Sequence, residues 1–415
     1  MSKANKKPQV IAGLDVGTTK VTCSIGVLTA EGVDVVGIGT APNSGMKQGV
    51  VVNIESTSEA IRKAKEEAEL MAGQRVTDVW LAIGGSHVES FDSSGMIAIR
   101  NKEVSSEDIE RVIEAAKAVA IPNDRQVLHV LPKDFKIDGQ EGIFDPIGMS
   151  GVRLEASVHI ITGSNTAILN TIKCTQRAGL SVAGLVLQQF ASALAVLSGD
   201  EKNLGVSVID IGGGTCDMIT YVAGSVVHTA VIPVGGQNFT HDVAMGLKTT
   251  QINAETLKKK YGAAIPDIVD LDEAIEVESV GGRKARTLQR RDLCEILEAR
   301  ADETLALLAN ELKQHNFIAK LGSGVVLTGG GSLLPGLIEM GDFVLDVPVR
   351  RGQPERVGGL TDIVRNSAYA TAIGLVLYGR EMEKDKVLTV DVKESVSDWS
   401  QRFTGWAKKV KDLLN

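Results

Sequence analysis

The chain's apolar and polar positions first fall into a clear pattern at Val10-Ile11-Ala12-Gly13-Leu14-Asp15-Val16, a β-prone run followed by Gly17-Thr18-Thr19-Lys20 and a second run, Val21-Thr22-Cys23-Ser24-Ile25-Gly26-Val27. Two such runs around a turn of small polar residues predict a hairpin. The same design returns mid-chain, where Val206-Ser207-Val208-Ile209-Asp210-Ile211 leads through Gly212-Gly213-Gly214-Thr215 into Cys216-Asp217-Met218-Ile219-Thr220-Tyr221. Later, Val325-Val326-Leu327-Thr328 precedes Gly329-Gly330-Gly331-Ser332 and Leu333-Leu334-Pro335-Gly336-Leu337, which predicts a buried strand, a glycine turn and a helix start. Between these segments, apolar residues recur at three- and four-residue steps over 57–72, 106–120, 165–178, 254–261 and 291–313, the period of amphipathic helices. Strands alternating with helices on this scale indicate an α/β architecture. From residue 78 to about 161 the pattern changes to strand, helix, strand, strand, which predicts a small inserted domain. Residues 381–397 turn polar and read as a linker.

Composition narrows the function class. With 415 residues, 43% of them hydrophobic, the chain can bury a sizeable core and divide into two or more domains. A formal net charge of -8 argues against a general nucleic-acid binder, which needs a cationic surface to neutralise phosphates. Lys3, Lys6 and Lys7 precede an apolar run broken by Gly13, Asp15 and Gly17, so no signal-peptide core is expected, and no segment has the length of a transmembrane helix. Cys23, Cys174, Cys216 and Cys294 are too widely spaced for a zinc motif and are expected as reduced thiols of a cytosolic protein.

The repeated turns carry candidate chemistry. Backbone N–H groups meet a nucleotide's phosphates only where the chain approaches closely, which favours glycine and small hydroxyl residues in tight turns. Gly17, Thr18, Thr19 and Lys20 supply one such wall, and Gly212, Gly213, Gly214 and Thr215 a second. Asp15 and Asp210, each at a strand end, suit a Mg²⁺ ion held through water, since that ion keeps part of its hydration shell. Gly329, Gly330, Gly331 and Ser332 would let an adenosine moiety lie against backbone. Each turn alone has an ordinary structural explanation; three in this order, at domain-sized intervals, carry the argument.

That order resembles the actin, Hsp70 and sugar-kinase superfamily, and within it the chain is similar over nearly its whole length to the bacterial FtsA family. The more specific matches are Leu128-His129-Val130-Leu131-Pro132, Gly148-Met149-Ser150-Gly151-Val152-Arg153-Leu154, Gly281-Gly282-Arg283 and Thr328-Gly329-Gly330-Gly331. Ala254-Glu255-Thr256-Leu257-Lys258 resembles the segment by which bacterial actins contact ribose and base; an exposed ion pair between Glu255 and Lys258 is the alternative. The resemblance implies an actin-like two-lobed fold of ribonuclease-H-like halves with an inserted 1C subdomain, ATP and Mg²⁺ in the cleft, and a C-terminal amphipathic helix. Its implied divisions are subdomain 1A at 1–80 and 163–199, 1C at 81–162, 2A at 200–232 and 305–380, 2B at 233–304, the linker at 381–397 and the terminal helix at 398–415. Residues 188–197 and 368–378 would be connecting helices, whose Ala191, Ala193, Ala195, Ala370, Ala372 and Gly374 suit close approach. It further implies filaments on the cytoplasmic face of the inner membrane at the division site, contact with FtsZ through 2B and with other division proteins through 1C. No residue announces itself as a catalytic base, so slow Mg-dependent ATP turnover coupled to assembly is the most that is expected. A sugar-type kinase is the alternative within the superfamily, although no catalytic Asp signature is visible; an Hsp70-like or pilus-assembly homologue is a third reading.

The tail adds a second chemistry. Trp399, Phe403, Trp406, Val410, Leu413 and Leu414 fall within an arc of roughly 100° on a helix. Arg402, Lys408, Lys409 and Lys411 outnumber Asp398 and Asp412 in an otherwise acidic chain. Such a helix suits an anionic membrane surface, with tryptophan at the water–lipid boundary. Docking on a protein groove is the alternative, which the polar linker disfavours. Since one short helix binds only moderately, self-association into filaments would supply avidity.

Overall fold

The computed structural model describes residues 9–388, with residues 271, 282 and 283 excepted. Residues 389–415, and with them the predicted terminal helix, lie outside the described residues. Two sheets share one plan. In the first, an antiparallel meander of Val10–Val16, Lys20–Leu28 and Val33–Pro42 is extended beside its first strand by the parallel strands Asp78–Ile83 and Ser181–Leu187. In the second, Val206–Ile211, Cys216–Val222 and Ser225–Ile232 form the meander, extended by the parallel strands Val325–Thr328 and Val349–Arg351. The likeness reaches single bonds: Gly17 N–H donates to the Lys20 carbonyl at 3.0 Å, and Gly212 N–H to the Thr215 carbonyl at 2.9 Å.

The insert is a sheet of Val88–Ala98, Arg153–Ser164, Arg125–Ile137 and Gln140–Ile143, in that spatial order, with the helix Ser106–Lys117 against it. The strand Asp78–Ile83, which the sequence pattern assigned to the insert, instead lies inside the first main sheet. Its Val79, Leu81, Ala82 and Ile83 are all buried, as in a central parallel strand covered on both faces, and such an apolar run does not say which sheet it joins.

The predicted helices form with small end shifts: Ile54–Ala72, Ser106–Lys117, Asn165–Arg177, Gln251–Tyr261 and Arg290–Gln314. After Thr328 the chain makes a 3-10 turn, Gly330–Leu333, so the helix starts only at Leu337–Leu345. The largest change is at the last helix, Ala370–Leu388, which runs into the segment read as a linker. Residues 381–388 are polar but hold no glycine or proline, and Glu, Met and Lys are good helix formers.

That helix packs on Gln188–Val196 between the lobes. Ala191, Ala193, Ala195, Ala370 and Ala372 are buried there, and a Cβ added to Gly374 would lie 1.8 Å from the Ala191 carbonyl oxygen. His129 ties the insert to the same region: its Nε2 accepts the Leu187 N–H at 2.9 Å, and Leu187 is the cap residue just before the helix Gln188–Val196. Burial pushes the His129 imidazole from 6.5 down to about 4. The folded protein therefore binds fewer protons than the unfolded chain between these values, and stability is lost as pH falls through that window, by roughly 3 kcal/mol in all. His129→Gln keeps an acceptor for Leu187 without the titration, so urea denaturation from neutral to mildly acidic pH should show a shallower decline; an unchanged decline would count against the assignment.

Candidate nucleotide-binding site

The three glycine turns meet. Because Val325–Thr328 pairs with Val206–Ile211 so that Thr328 lies beside Asp210, the third turn emerges next to the second. Gly329 has φ 80°, and a Cβ there would fall 2.2 Å from Asp210 Oδ1, so both conformation and space require glycine. The first two turns face each other across the lobes. A Cβ on Gly213 would fall 2.4 Å from Thr19 Oγ1, and one on Gly214 would fall 2.6 Å from Thr18 Oγ1. Between the turns lies a cavity of about 420 Å³, within the range of small-molecule sites.

Asp15, Gly17, Thr18, Thr19, Lys20, Asp210, Gly212, Gly213, Gly214, Thr215, Glu255, Lys258, Gly329, Gly330 and Gly331 all line this one cavity. Ser332 does not. It is fully buried, and its hydroxyl donates to the Gly329 carbonyl at 2.8 Å, which braces the turn from behind. Glu255 and Lys258 both line the space and pair with each other at 2.7 Å, with the Lys258 side chain only 14% exposed, so the ion pair is made at the cavity wall and not on an open helix face. Lys258 also donates to the Gly236 carbonyl and to Thr240 Oγ1, which fixes the start of the helix Gly236–Gly246.

Charge is set by burial. The Asp15 carboxyl is pushed up to about 7 by burial despite the nearby Lys20 ammonium, and its Oδ1 has no hydrogen-bond partner among the described residues. Burial likewise raises Asp210, although its Oδ2 accepts the Ser192 hydroxyl at 2.6 Å and the Thr371 hydroxyl at 3.1 Å. Ser192 and Thr371 belong to the two connecting helices. Lys20, also lowered by burial, donates to the Ala368 carbonyl and sits 4.7 Å from the centre of the Tyr369 ring. Two buried carboxylates, one with an orphaned oxygen, fit a hydrated divalent cation, which would relieve both. Lys20, Lys258 and Lys259 supply cationic groups for an anionic ligand.

Gln188, Gly236, Phe239, Lys259 and Thr371, which the sequence pattern did not assign to the site, also line the cavity, as do Leu334 and Pro335 of the third glycine segment. Phe239, Leu334 and Pro335 give the apolar wall a planar base needs. The one signal at hand was position: Lys259 lies one turn beyond Glu255 and pairs with it at 3.0 Å.

Comparison with known proteins places this geometry. Residues 207–374 match the family described as cell division protein FtsA, and residues 85–162 match the SHS2 domain inserted in FtsA. The chain is 48% identical to the cell division protein FtsA of Pseudomonas aeruginosa over 378 residues, which is 91% of each chain. It is 40% identical to that of Escherichia coli over 419 residues, covering 99% of this chain and 100% of the relative. The chain belongs to the FtsA family. It is a cell-division protein, and its fold is actin-like: MreB5 of Spiroplasma citri bound to ADP superposes with a TM-score of 0.57 at 13% identity, covering 91% of this chain and 98% of that one. A PilM-PilN type IV pilus biogenesis complex matches with a TM-score of 0.64 at 17% identity, covering 89% and 98%. The FtsA insert match overlies the sheet built from Val88–Ala98 to Arg153–Ser164. Membership in the FtsA family also sets aside the sugar-kinase and Hsp70-like alternatives.

Proposed function

We propose that the chain binds ATP with Mg²⁺ between its lobes, assembles into actin-like filaments, and fastens the FtsZ ring to the cytoplasmic face of the inner membrane at the division site. The observation that carries this reading is the single cavity that all three glycine turns line. In it, Thr18, Thr19, Thr215 and the glycine backbones receive the phosphates, with Lys20 as counter-charge. Asp15 and Asp210 hold the Mg²⁺ through water, which offsets phosphate charge. Gly330, Phe239, Leu334 and Pro335 receive the base, and Glu255 and Lys258 the ribose. MreB5, which shares the fold, is known both with ADP and with AMPPNP. FtsZ would meet subdomain 2B at 233–304, and other division proteins subdomain 1C at 81–162. The tail, with Trp399, Phe403 and Trp406 toward lipid and Arg402, Lys408, Lys409 and Lys411 toward anionic headgroups, would make the membrane contact.

Two measurements test the reading. Titration with a fluorescent ATP analogue should give saturable binding that Mg²⁺ strengthens, and a chain indifferent to both would refute the cleft assignment. In co-sedimentation with anionic liposomes, the full chain should pellet, more strongly with Mg-ATP as linked copies add avidity. A chain ending at Lys393 should stay in the supernatant; equal pelleting would remove the tail from the mechanism.

A further inference from the structure

We infer that His228, Glu311 and His315 form a binding site for a borderline transition-metal dication such as Zn²⁺, on the second lobe and apart from the nucleotide cavity. None of the three lines that cavity. His228 stands on the edge strand Ser225–Ile232, Glu311 on the last turn of the helix Arg290–Gln314, and His315 immediately after that helix, one turn beyond Glu311. Strand and helix end thus bring three donors together from two distant parts of the chain.

The distances suit a metal. The ligating atoms all lie within 4.8 Å of one another, with His228 Nε2 at 2.8 Å and His315 Nε2 at 3.4 Å from Glu311 Oε1. Around a tetrahedral Zn²⁺ with bonds of about 2.0–2.2 Å, ligand atoms stand roughly 3.3 Å apart. Two imidazoles and one carboxylate favour Zn²⁺, Co²⁺ or Ni²⁺ over Mg²⁺ or Ca²⁺, which prefer oxygen.

Packing prepares the rings. The two imidazoles lie 4.2 Å apart between centroids, and the buried Phe317 ring is 5.4 Å from His228 and 5.8 Å from His315, stacked on the latter at 22°. The His315 side chain is 46% exposed, against 13% for His228, which leaves an entry path and room for water as the fourth ligand. An occupied site would pin the edge strand to the helix end. The next residue, Thr229, meets the insert through the Ser90 hydroxyl at 3.0 Å and His159 Nε2 at 3.0 Å, so the pinned edge is the one on which the insert rests.

The test uses the full chain, stripped with chelator and kept in excess Mg²⁺ so that the Asp15 and Asp210 site does not compete. Co²⁺ should bind with one equivalent and give the intense visible absorption of low-symmetry coordination, and Zn²⁺ should displace it. Zn²⁺ should also raise the melting temperature. His315→Ala, at an exposed position, and Glu311→Gln should each weaken binding at least as much as the roughly 10–100-fold that loss of an outer partner costs a metal site. His241→Ala, at an exposed histidine outside the cluster, should change nothing. Absence of stoichiometric uptake, or affinity in His315→Ala and Glu311→Gln unchanged from that of the parent chain, would overturn the assignment. Because Zn²⁺ uptake requires no nucleotide, failure here is separable from failure of the ATP reading.

Discussion

Gly374→Ala should lower the stability of the protein by about 2 kcal/mol or more, and Gly374→Val should leave little of it folded. Helix propensity alone points the other way, since alanine is favoured over glycine in a helix interior by about 1 kcal/mol. The contact decides the sign. An added Cβ would sit 1.8 Å from the Ala191 carbonyl oxygen and 2.4 Å from its carbon, and neither is the end of a flexible side chain that could step aside. Overpacking costs about 1–3 kcal/mol and occasionally more; a clash with backbone belongs at the upper end. Urea denaturation of both variants checks the expectation, and a Gly374→Ala chain as stable as the parent would show that the helices separate without cost. Any separation also draws Ser192 and Thr371 away from Asp210, so nucleotide affinity should fall with stability.

Asp210→Asn should abolish the contribution of Mg²⁺ to nucleotide affinity, a loss of about 100-fold or nearly 3 kcal/mol, while the ligand-free protein stays folded. Asparagine has the shape of aspartate and can still accept from Ser192 and Thr371 through its oxygen. It also removes a carboxylate whose charge burial disfavours, so stability without ligand should hold or rise. Binding titrations with and without Mg²⁺, beside a thermal melt, separate the two effects. Retained Mg²⁺ dependence would move the ion elsewhere.

The turns were legible because their chemistry is local: aspartate at a strand end followed by glycine and threonine is written in consecutive residues, as in Asp15 to Lys20 and Asp210 to Thr215. The walls between them were not. Phe239 and Thr371 sit on helices whose pattern announces only a buried face, and Gln188 begins one; sheet topology brings them to the cavity. Asp78–Ile83 was misplaced for a related reason, since an apolar run records burial and not its neighbours. Ser332 was read as a ligand group from its place in the turn, yet a hydroxyl there can point inward as well, and it does. The polar composition of 381–388 was mistaken for a tether because polarity was weighed above helix propensity.

One carboxylate oxygen of Asp210 accepts from both connecting helices, through Ser192 and through Thr371, and those two hydroxyls also touch at 2.9 Å. Prising the halves apart must therefore rupture a shared knot, at about 1.5–3 kcal/mol for each bond to a charged acceptor. Jaw opening would then be abrupt, with few half-open stages, and loss of either alcohol should make it gradual.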